Sequence, residues 1–155
     1  MIIRSYSSED CGELIALCRG TIHAINARDY NKSQIKAWAP NDMDIARWDK
    51  TLRANYAVVA EKGGVVVGFG DVDRTGYLER LYTHKDYQRM GIATLIADDI
   101  ERFCICKGVQ SITTAASITA KSFFEKRGYH VLKQQSVALR GQLFINFLME
   151  KTLRK

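Results

Sequence analysis

Residues 88–94, QRMGIAT, place polar side chains, a glycine and small residues at the start of an apolar run with helical spacing. The first N–H groups of a helix lack partners within the helix and lie at its positive dipole end, so phosphates bind there. Gly91 and Ala93 would let a phosphate approach the backbone closely. We predict a pyrophosphate cradle, with a plain strand-to-helix turn as the alternative. Its members are Gln88, Arg89, Met90, Gly91, Ile92, Ala93 and Thr94.

Two other phosphate-binding patterns do not fit this chain. The P-loop pattern G-x-x-x-x-G-K-[ST] is absent from the sequence. The segment GVVVGFG (64–70) lacks the third glycine of G-x-G-x-x-G and lies within predicted strands. A dinucleotide-binding site of the Rossmann type is therefore not expected.

The composition indicates one globular domain. The chain has 155 residues, 46% of them apolar, with no run of 18 apolar residues and no signal-peptide pattern, so we expect a cytoplasmic protein without a membrane span. Cys11, Cys18, Cys104 and Cys106 form no C-x-x-C pair, which favours buried reduced thiols over a disulfide or metal site. The net charge of +6 fits nucleic acid, an anionic membrane or an anionic small molecule, and does not choose among them.

Periodicity and turn residues predict the elements that position the cradle. Strand signals cover 2–6, 56–61, 65–72, 77–84, 109–116 and the two closing segments 129–140 and 142–153. Helices are predicted after Ser7 or Ser8, from a cap at Asn41 or Asp42 through Leu52, at 90–107 and at 119–127. The polar segment 26–42 separates the first two helices. The order β-α-α-β-β-β-α-β-α-β-β indicates an α/β domain with a mixed sheet.

Three segments in order resemble the GNAT superfamily of N-acetyltransferases. QRMGIA (88–93) resembles the [QR]-x-x-G-x-[GA] motif that cradles the pyrophosphate of acetyl-CoA. ASITAKSFFEKRGYHV (116–131) is similar to the segment of the fifth strand and fourth helix, and FLMEKTL (147–153) to the closing strand. The resemblance covers essentially the whole chain. It implies a single GNAT-like α+β domain over 1–155, with a mixed, mostly antiparallel central sheet flanked by helices.

The resemblance also implies how acetyl-CoA is held. Backbone groups of the fourth strand, here Leu81 and Thr83, would bind the thioester and pantetheine amides. Ser117 stands where the family often has Asn, and Phe124 where it usually has the Tyr that protonates the departing thiolate. Both are expected at the acetyl-CoA site. Water or Tyr82, which lies on the cofactor strand, could replace the missing acid.

Glu79 is the predicted general base. Acylation of an alkyl amine with a pKa near ~10.4 requires a group that removes a proton. Glu79 lies within YLERLY (77–82), where strict alternation would place it on one face with Tyr77 and Leu81. The alternative is a solvated glutamate or an ion pair with Arg80. Asp71 and Asp73 are weaker candidates, with a simple surface position as the alternative.

Residues 26–42 correspond to the acceptor wall of the family. Tyr30, Gln34 and Trp38 recur at intervals of four, so they share one face if the segment is helical. An aromatic wall suits a planar or cationic acceptor. Ordinary packing of Trp38 onto the sheet is the preferred alternative.

Three functions remain open from the sequence. The first is acetyl-CoA-dependent transfer to an amine, on a small molecule or a protein, by direct attack in a ternary complex. The second is an acetyl-CoA sensor of the same fold, which the replacement of Tyr by Phe124 favours. The third is a nucleic-acid-binding domain, which rests on net charge alone. The first predicts acetyl-CoA as cosubstrate, no metal, no nucleic-acid or membrane partner, and allows a homodimer.

Overall fold

A seven-stranded sheet in the order β1-β2-β3-β4-β5-β7-β6 runs through the computed structural model, which describes residues 1–153. The strands are β1 Ile2–Ser5, β2 Tyr56–Lys62, β3 Val65–Val72, β4 Tyr77–Thr83, β5 Ser111–Ser117, β6 His130–Leu139 and β7 Gln142–Thr152. The helices are α1 Cys11–Ala24, α2 Lys32–Trp38, α3 Ile45–Ala54, α4 Ile92–Cys106 and α5 Lys121–Lys126. Neighbouring strands are antiparallel except β4 and β5, which are parallel.

The predicted fold class and the number of strands along the chain are confirmed, with changes in the helices. Segment 26–42 contains a helix of its own, α2, which begins with a reciprocal cap between Asn31 and Gln34. The next helix begins later than predicted, because Asp44 rather than Asn41 or Asp42 accepts from the backbone N–H of Arg47 at 3.1 Å. Residues 154 and 155 of the predicted domain lie outside the described residues.

The cysteine prediction holds for three of the four thiols. Cys11, Cys18 and Cys104 are buried, whereas Cys106 is exposed at the end of α4. The apolar stripe of α4 passes through Cys104, and Cys106 falls two positions beyond it, on the outer face of the helix. Among residues 1–153, no helix has the length and apolar character needed to cross a bilayer.

Two hydrophobic cores lie on opposite faces of the sheet. One joins α1, α2 and α3 to residues such as Val59, Phe69 and Phe144. The other joins α4 and α5 to residues such as Val67 and Ile112. The central strands are therefore covered on both faces, whereas β6 is largely exposed, and the cavities between the layers are where a ligand can be enclosed.

The two glycines of GFG in β3 allow α4 to approach the sheet closely. A Cβ added at Gly68 would lie 2.8 Å from Cγ2 of Ile92 and 2.9 Å from Cδ1 of Ile96. A Cβ added at Gly70 would lie 3.0 Å from Cγ2 of Ile96 and 3.1 Å from Cδ1 of Ile100. These glycines thus place the start of α4, and with it the predicted cradle, against the sheet.

We expect Gly68→Ala to lower the free energy of unfolding by about 1–3 kcal/mol, because its methyl group overpacks the contact with Ile92 and Ile96. Gly12→Ala is the matched control. Gly12 lies exposed within α1 with open space around its Cα, so alanine there should stabilise the chain by about 0.5–1 kcal/mol. Urea unfolding followed by circular dichroism measures both. A stabilising effect of both substitutions would contradict the proposed close approach.

Candidate active site

A cleft opens where β4 and β5 separate. Their parallel pairing joins Tyr77 to Thr113 and Leu78 to Thr114. The buried hydroxyl of Thr114 also donates to the carbonyl of Leu78 at 3.1 Å, which marks the closed end of the fork. Beyond this point the two strands line a cleft of about 380 Å³. Such a fork exposes backbone groups that a sheet would normally use internally.

Alternate residues of β4 direct their backbone groups into this cleft. His84 donates its N–H to Val67 at 2.8 Å, and in the same register Tyr82 lies opposite Phe69. In an antiparallel ladder only alternate residues bond to the partner strand. The backbone groups of Leu81 and Thr83 therefore face away from β3, toward the fork, which is the arrangement that their predicted role requires.

The loop before α4 is fastened to the end of β4. The side-chain amide nitrogen of Gln88 donates to the carbonyls of Thr83 at 2.9 Å and His84 at 3.1 Å. The hydroxyl of Thr21 donates to the same Thr83 carbonyl at 2.8 Å. Both amide hydrogens of Gln88 are thus in use, so Gln88 braces the loop instead of offering a free donor to a phosphate.

Backbone conformation at the mouth of α4 explains the glycine there. Gly91 caps the helix with φ of 77°, and Arg89 has φ of 61°. A Cβ on Gly91 would meet no atom within 4 Å, so the space in front of it is open. The first bond within the helix runs from Leu95 N–H to the Gly91 carbonyl at 3.1 Å. The N–H groups of the first turn, Ile92 to Thr94, are therefore available to an anion.

Glu79 lies at a β-bulge, which strict alternation did not predict. Asp71 lies opposite Arg80 and Val72 lies opposite Leu78, so Glu79 has no partner on β3. Leu78 and Leu81, three positions apart, consequently pack into the same core. Bulges redirect a side chain locally, and here the bulged residue is exposed and lines the cleft.

Arg80 forms an ion pair with Asp71 and not with Glu79. Its Nε and Nη2 donate to the two carboxylate oxygens of Asp71 at 2.9 and 2.8 Å. Asp71 is 0% exposed, so the alternative of a simple surface position is wrong for this residue. Asn55 donates to the same carboxylate at 2.9 Å, and the guanidinium lies 4.7 Å from the ring centroid of Trp48.

The remaining carboxylate candidates have different environments. Asp73 accepts from Thr75 and from the N–H of Tyr77, so it stabilises the turn between β3 and β4. Desolvation raises the pKa of Glu79 above the ordinary value, with Arg80 opposing this shift and Asp71 and Asp73 adding to it. A raised pKa makes the Glu79 carboxylate a stronger proton acceptor than a fully solvated one.

Tyr82 and Cys18 are both poor proton donors in this environment. Burial raises the pKa of Tyr82 well above its usual value, and its hydroxyl interacts with Cys18 and with Trp38. Burial likewise raises the pKa of the Cys18 thiol to about 12. At neutral pH both groups therefore stay protonated, and Cys18 is not a thiolate nucleophile.

The three residues of the predicted acceptor wall separate in the structure. Trp38 lines the cleft, and it also contacts Tyr30 at 5.3 Å between ring centroids, so packing and lining are combined. The Tyr30 hydroxyl donates to the Ile145 carbonyl and accepts from the Ile118 N–H, both at 2.9 Å. Gln34 donates to the Leu143 carbonyl at 2.7 Å. Tyr30 and Gln34 thus satisfy the edge of β7 beyond its pairing with β5.

Most of the predicted site residues meet at the cleft. Those that line it are Trp38, Glu79, Leu81, Tyr82, Thr83, Gln88, Arg89, Gly91, Ile92, Ala93, Thr94, Ser117 and Phe124. Met90, Tyr30 and Gln34 do not line it, and Met90 points into solvent. The prediction omitted the wall at the end of α1, which includes Thr21, Ile25 and Asn26. No local pattern marks these residues, because the cleft beside them is created by the fork.

Known proteins resemble this chain in fold and in sequence. Residues 26–153 match the family model described as acetyltransferase (GNAT) domain. The uncharacterized N-acetyltransferase YafP of Escherichia coli (strain K12) is 34% identical over 148 residues, which cover 95% of this chain and 93% of that protein.

Two solved structures extend the comparison. The GCN5-related N-acetyltransferase titled "Aminotransferase, Class-II" from Rhodopseudomonas palustris superposes with a TM-score of 0.94 and 31% identity, covering 98% of this chain and 95% of that one. The PaiA N-acetyltransferase from Thermoplasma acidophilum, solved in complex with coenzyme A, has a TM-score of 0.80 and 20% identity, covering 97% and 98%. At 20% identity, the comparison with the PaiA structure shows similarity of fold alone.

Removing Asp71 should strongly destabilise the chain. We expect Asp71→Ala to lower the free energy of unfolding by about 3–5 kcal/mol, because it leaves the Arg80 charge buried without a partner. Glu125→Ala, which removes the exposed pair with Lys121, is the control and should cost about 0.3–0.5 kcal/mol. Urea unfolding followed by tryptophan fluorescence measures both. Equal losses would show that the Asp71 pair is not a special constraint.

Proposed function

The chain belongs to the GNAT family of acetyltransferases, and on that premise we propose that it transfers an acetyl group from acetyl-CoA directly to an amine in a ternary complex. The single observation that supports this most is the fork between β4 and β5, which opens onto the unpartnered N–H groups of α4. One continuous cleft thus offers backbone partners to an extended chain and an anion site at its end.

The residues present fit the two ends of acetyl-CoA. Open space in front of Gly91 leaves room for a pyrophosphate, and the first-turn N–H groups and exposed Arg89 supply donors and positive charge. The backbone N–H groups of Leu81 and Thr83 suit the amides and the thioester oxygen. Ser117 and Phe124 line the β5 side of the same cleft.

Glu79 would accept the proton of the acceptor amine, directly or through water. The amine nitrogen forms a bond to the acyl carbon, the C–S bond breaks, and its electron pair leaves with sulfur. The backbone N–H groups facing the fork would stabilise the developing oxyanion. The raised pKa of Glu79 matches the task of proton acceptor better than that of a fully solvated carboxylate.

The departing thiolate would take its proton from water. Phe124 has no hydroxyl and is buried against Tyr129 at 5.0 Å between ring centroids. The raised pKa of Tyr82 weakens it as an acid. A thiol has an unperturbed pKa of about 8.5, so its thiolate is a good leaving group without a dedicated acid. Direct transfer is also favoured over an acyl-cysteine intermediate. Cys18, the thiol that contacts Tyr82, stays protonated and is therefore a poor nucleophile.

We expect Gly91→Val to weaken coenzyme A binding at least tenfold, since a side chain would fill the space in front of the helix mouth. Gly108→Val is the matched control, because Gly108 has the same φ of 77° and open surroundings at the other end of α4. Both variants carry the same backbone strain, and only the first faces the cleft. Titration calorimetry with coenzyme A measures both affinities. Equal affinities would place the pyrophosphate elsewhere.

We expect Glu79→Gln to lower kcat/KM roughly 10²–10⁴-fold near neutral pH, the range for loss of a general base. The carboxylate is ionised above its pKa, so the defect should appear there and shrink as the pH approaches the acceptor pKa of ~10.4, where free amine becomes abundant. Thiol release across pH 6–10 measures it, with Glu125→Gln as the control and coenzyme A affinity as a check on folding. Wild-type turnover in Glu79→Gln would assign that residue a structural role.

A further inference from the structure

Asn26 is a buried amide that faces the cleft without a protein partner. It is 6% exposed and lies on the segment between α1 and α2. None of the side-chain hydrogen bonds within residues 1–153 involves its amide, yet no fully enclosed side-chain nitrogen or oxygen there lacks a partner. The Asn26 amide therefore meets the open cleft that it lines. A polar group so nearly buried is stabilised by whatever hydrogen-bonding group the cleft receives.

The segment that carries Asn26 is tied to the far side of the cleft. The Thr119 hydroxyl donates to the carboxylate of Asp29 at 2.8 Å. The Tyr30 hydroxyl bonds to the backbone of Ile118 and of Ile145, each at 2.9 Å. These bonds connect the residues after Asn26 to the ends of β5 and to β7. Asn26 is therefore held in a fixed position, as a residue that selects a ligand must be.

Of the charged side chains that line the cleft, Arg89 lies at the helix start proposed for the pyrophosphate, and the other two favour a cationic acceptor. The guanidinium of Arg80 is engaged bidentately by Asp71, so it is not available to a carboxylate. The carboxylate of Glu79 has no such partner among the ion pairs of residues 1–153. Trp38 contributes an aromatic surface to the same cleft, and ammonium groups are attracted to indole rings.

We propose that Asn26 binds the acceptor and sets its specificity, and that the acceptor is a small cationic amine with a neutral hydrogen-bonding group and no carboxylate. This inference rests on the proposed function. An incoming ammonium group is attracted by Glu79, which then removes its proton, while the Asn26 amide pairs with the amide or hydroxyl of the acceptor. An acceptor carboxylate would share the cleft with Glu79, while the two cations that line it are engaged by Asp71 and by the proposed pyrophosphate.

Three amines that share a phenethylamine skeleton test the proposal on the 155-residue chain. L-phenylalaninamide carries the neutral amide, phenethylamine lacks it, and L-phenylalanine replaces it with a carboxylate. We expect kcat/KM for thiol release from acetyl-CoA, expressed per concentration of unprotonated amine because the three amines differ in pKa, to fall in that order. The expected step is about tenfold each time, the effect of one hydrogen bond of about 1.4 kcal/mol or of one unbalanced charge.

The variants Asn26→Ala and Asn26→Asp identify the residue responsible. In Asn26→Ala the roughly tenfold preference for L-phenylalaninamide over phenethylamine should disappear, while affinity for coenzyme A stays within about twofold. This preference is a ratio within one preparation, so partial unfolding does not change it. Asn26→Asp keeps the side-chain shape, so it should also fold. Its added negative charge should raise the preference for both cationic amines over L-phenylalanine. Asn146→Ala, outside the cleft lining, is the control that should leave the ratio unchanged.

The possible results separate the role of Asn26, the acceptor class and the proposed function. An unchanged ratio in Asn26→Ala would overturn the role of Asn26. Preference of the wild type for L-phenylalanine, or transfer to none of the three amines despite coenzyme A binding, would overturn the acceptor class. Failure to bind coenzyme A would instead overturn the proposed function on which the inference rests.

Discussion

The bidentate ion pair between Asp71 and Arg80 is the constraint around which the site is arranged. It joins β3 to β4 directly beside the bulge, so the register is fixed on one side of Glu79 by two charge-assisted hydrogen bonds. It also engages the Arg80 guanidinium in a pair with Asp71, so Arg80 opposes the upward pKa shift of Glu79 without forming an ion pair with it. Removing either partner of a buried pair leaves an uncompensated charge. Loss of the pair would therefore also disturb the bulge beside it.

The fork between β4 and β5 imposes a second requirement, because strands that separate leave backbone groups without partners. The chain satisfies several of them with side chains. Thr21 and Gln88 both donate to the carbonyl of Thr83, and Thr114 donates to that of Leu78. Along the free edge of β7, Tyr30 and Gln34 do the same for Ile145 and Leu143. The groups left over, at Leu81 and in the first turn of α4, are those that a ligand can use.

Local patterns in the sequence were enough to predict the helix start at 88–94 as a candidate anion site. Gly91 before an apolar run indicates the start of a helix, and the order of elements indicates the mixed sheet, so both could be predicted. The bulge could not, because it arises from the pairing of β4 with β3 and leaves no trace in the alternation of YLERLY. A surface position was the alternative for Asp71, since a carboxylate in a strand is usually exposed. Its partner Arg80 is nine residues away, and only the hairpin geometry brings them together.

The two hydrophobic cores separate the two walls of the cleft onto opposite faces of the sheet. Helix α4, whose start is the candidate anion site, packs in one core, while α1 and α2, which flank Asn26 and include Trp38, pack in the other. The sheet insulates each from changes in the other. Under the proposed function, substitutions around α1 and α2 would alter which amine is received without repacking α4, the helix proposed to hold the acyl donor. One scaffold can thereby diverge into enzymes that share a donor and differ in acceptor.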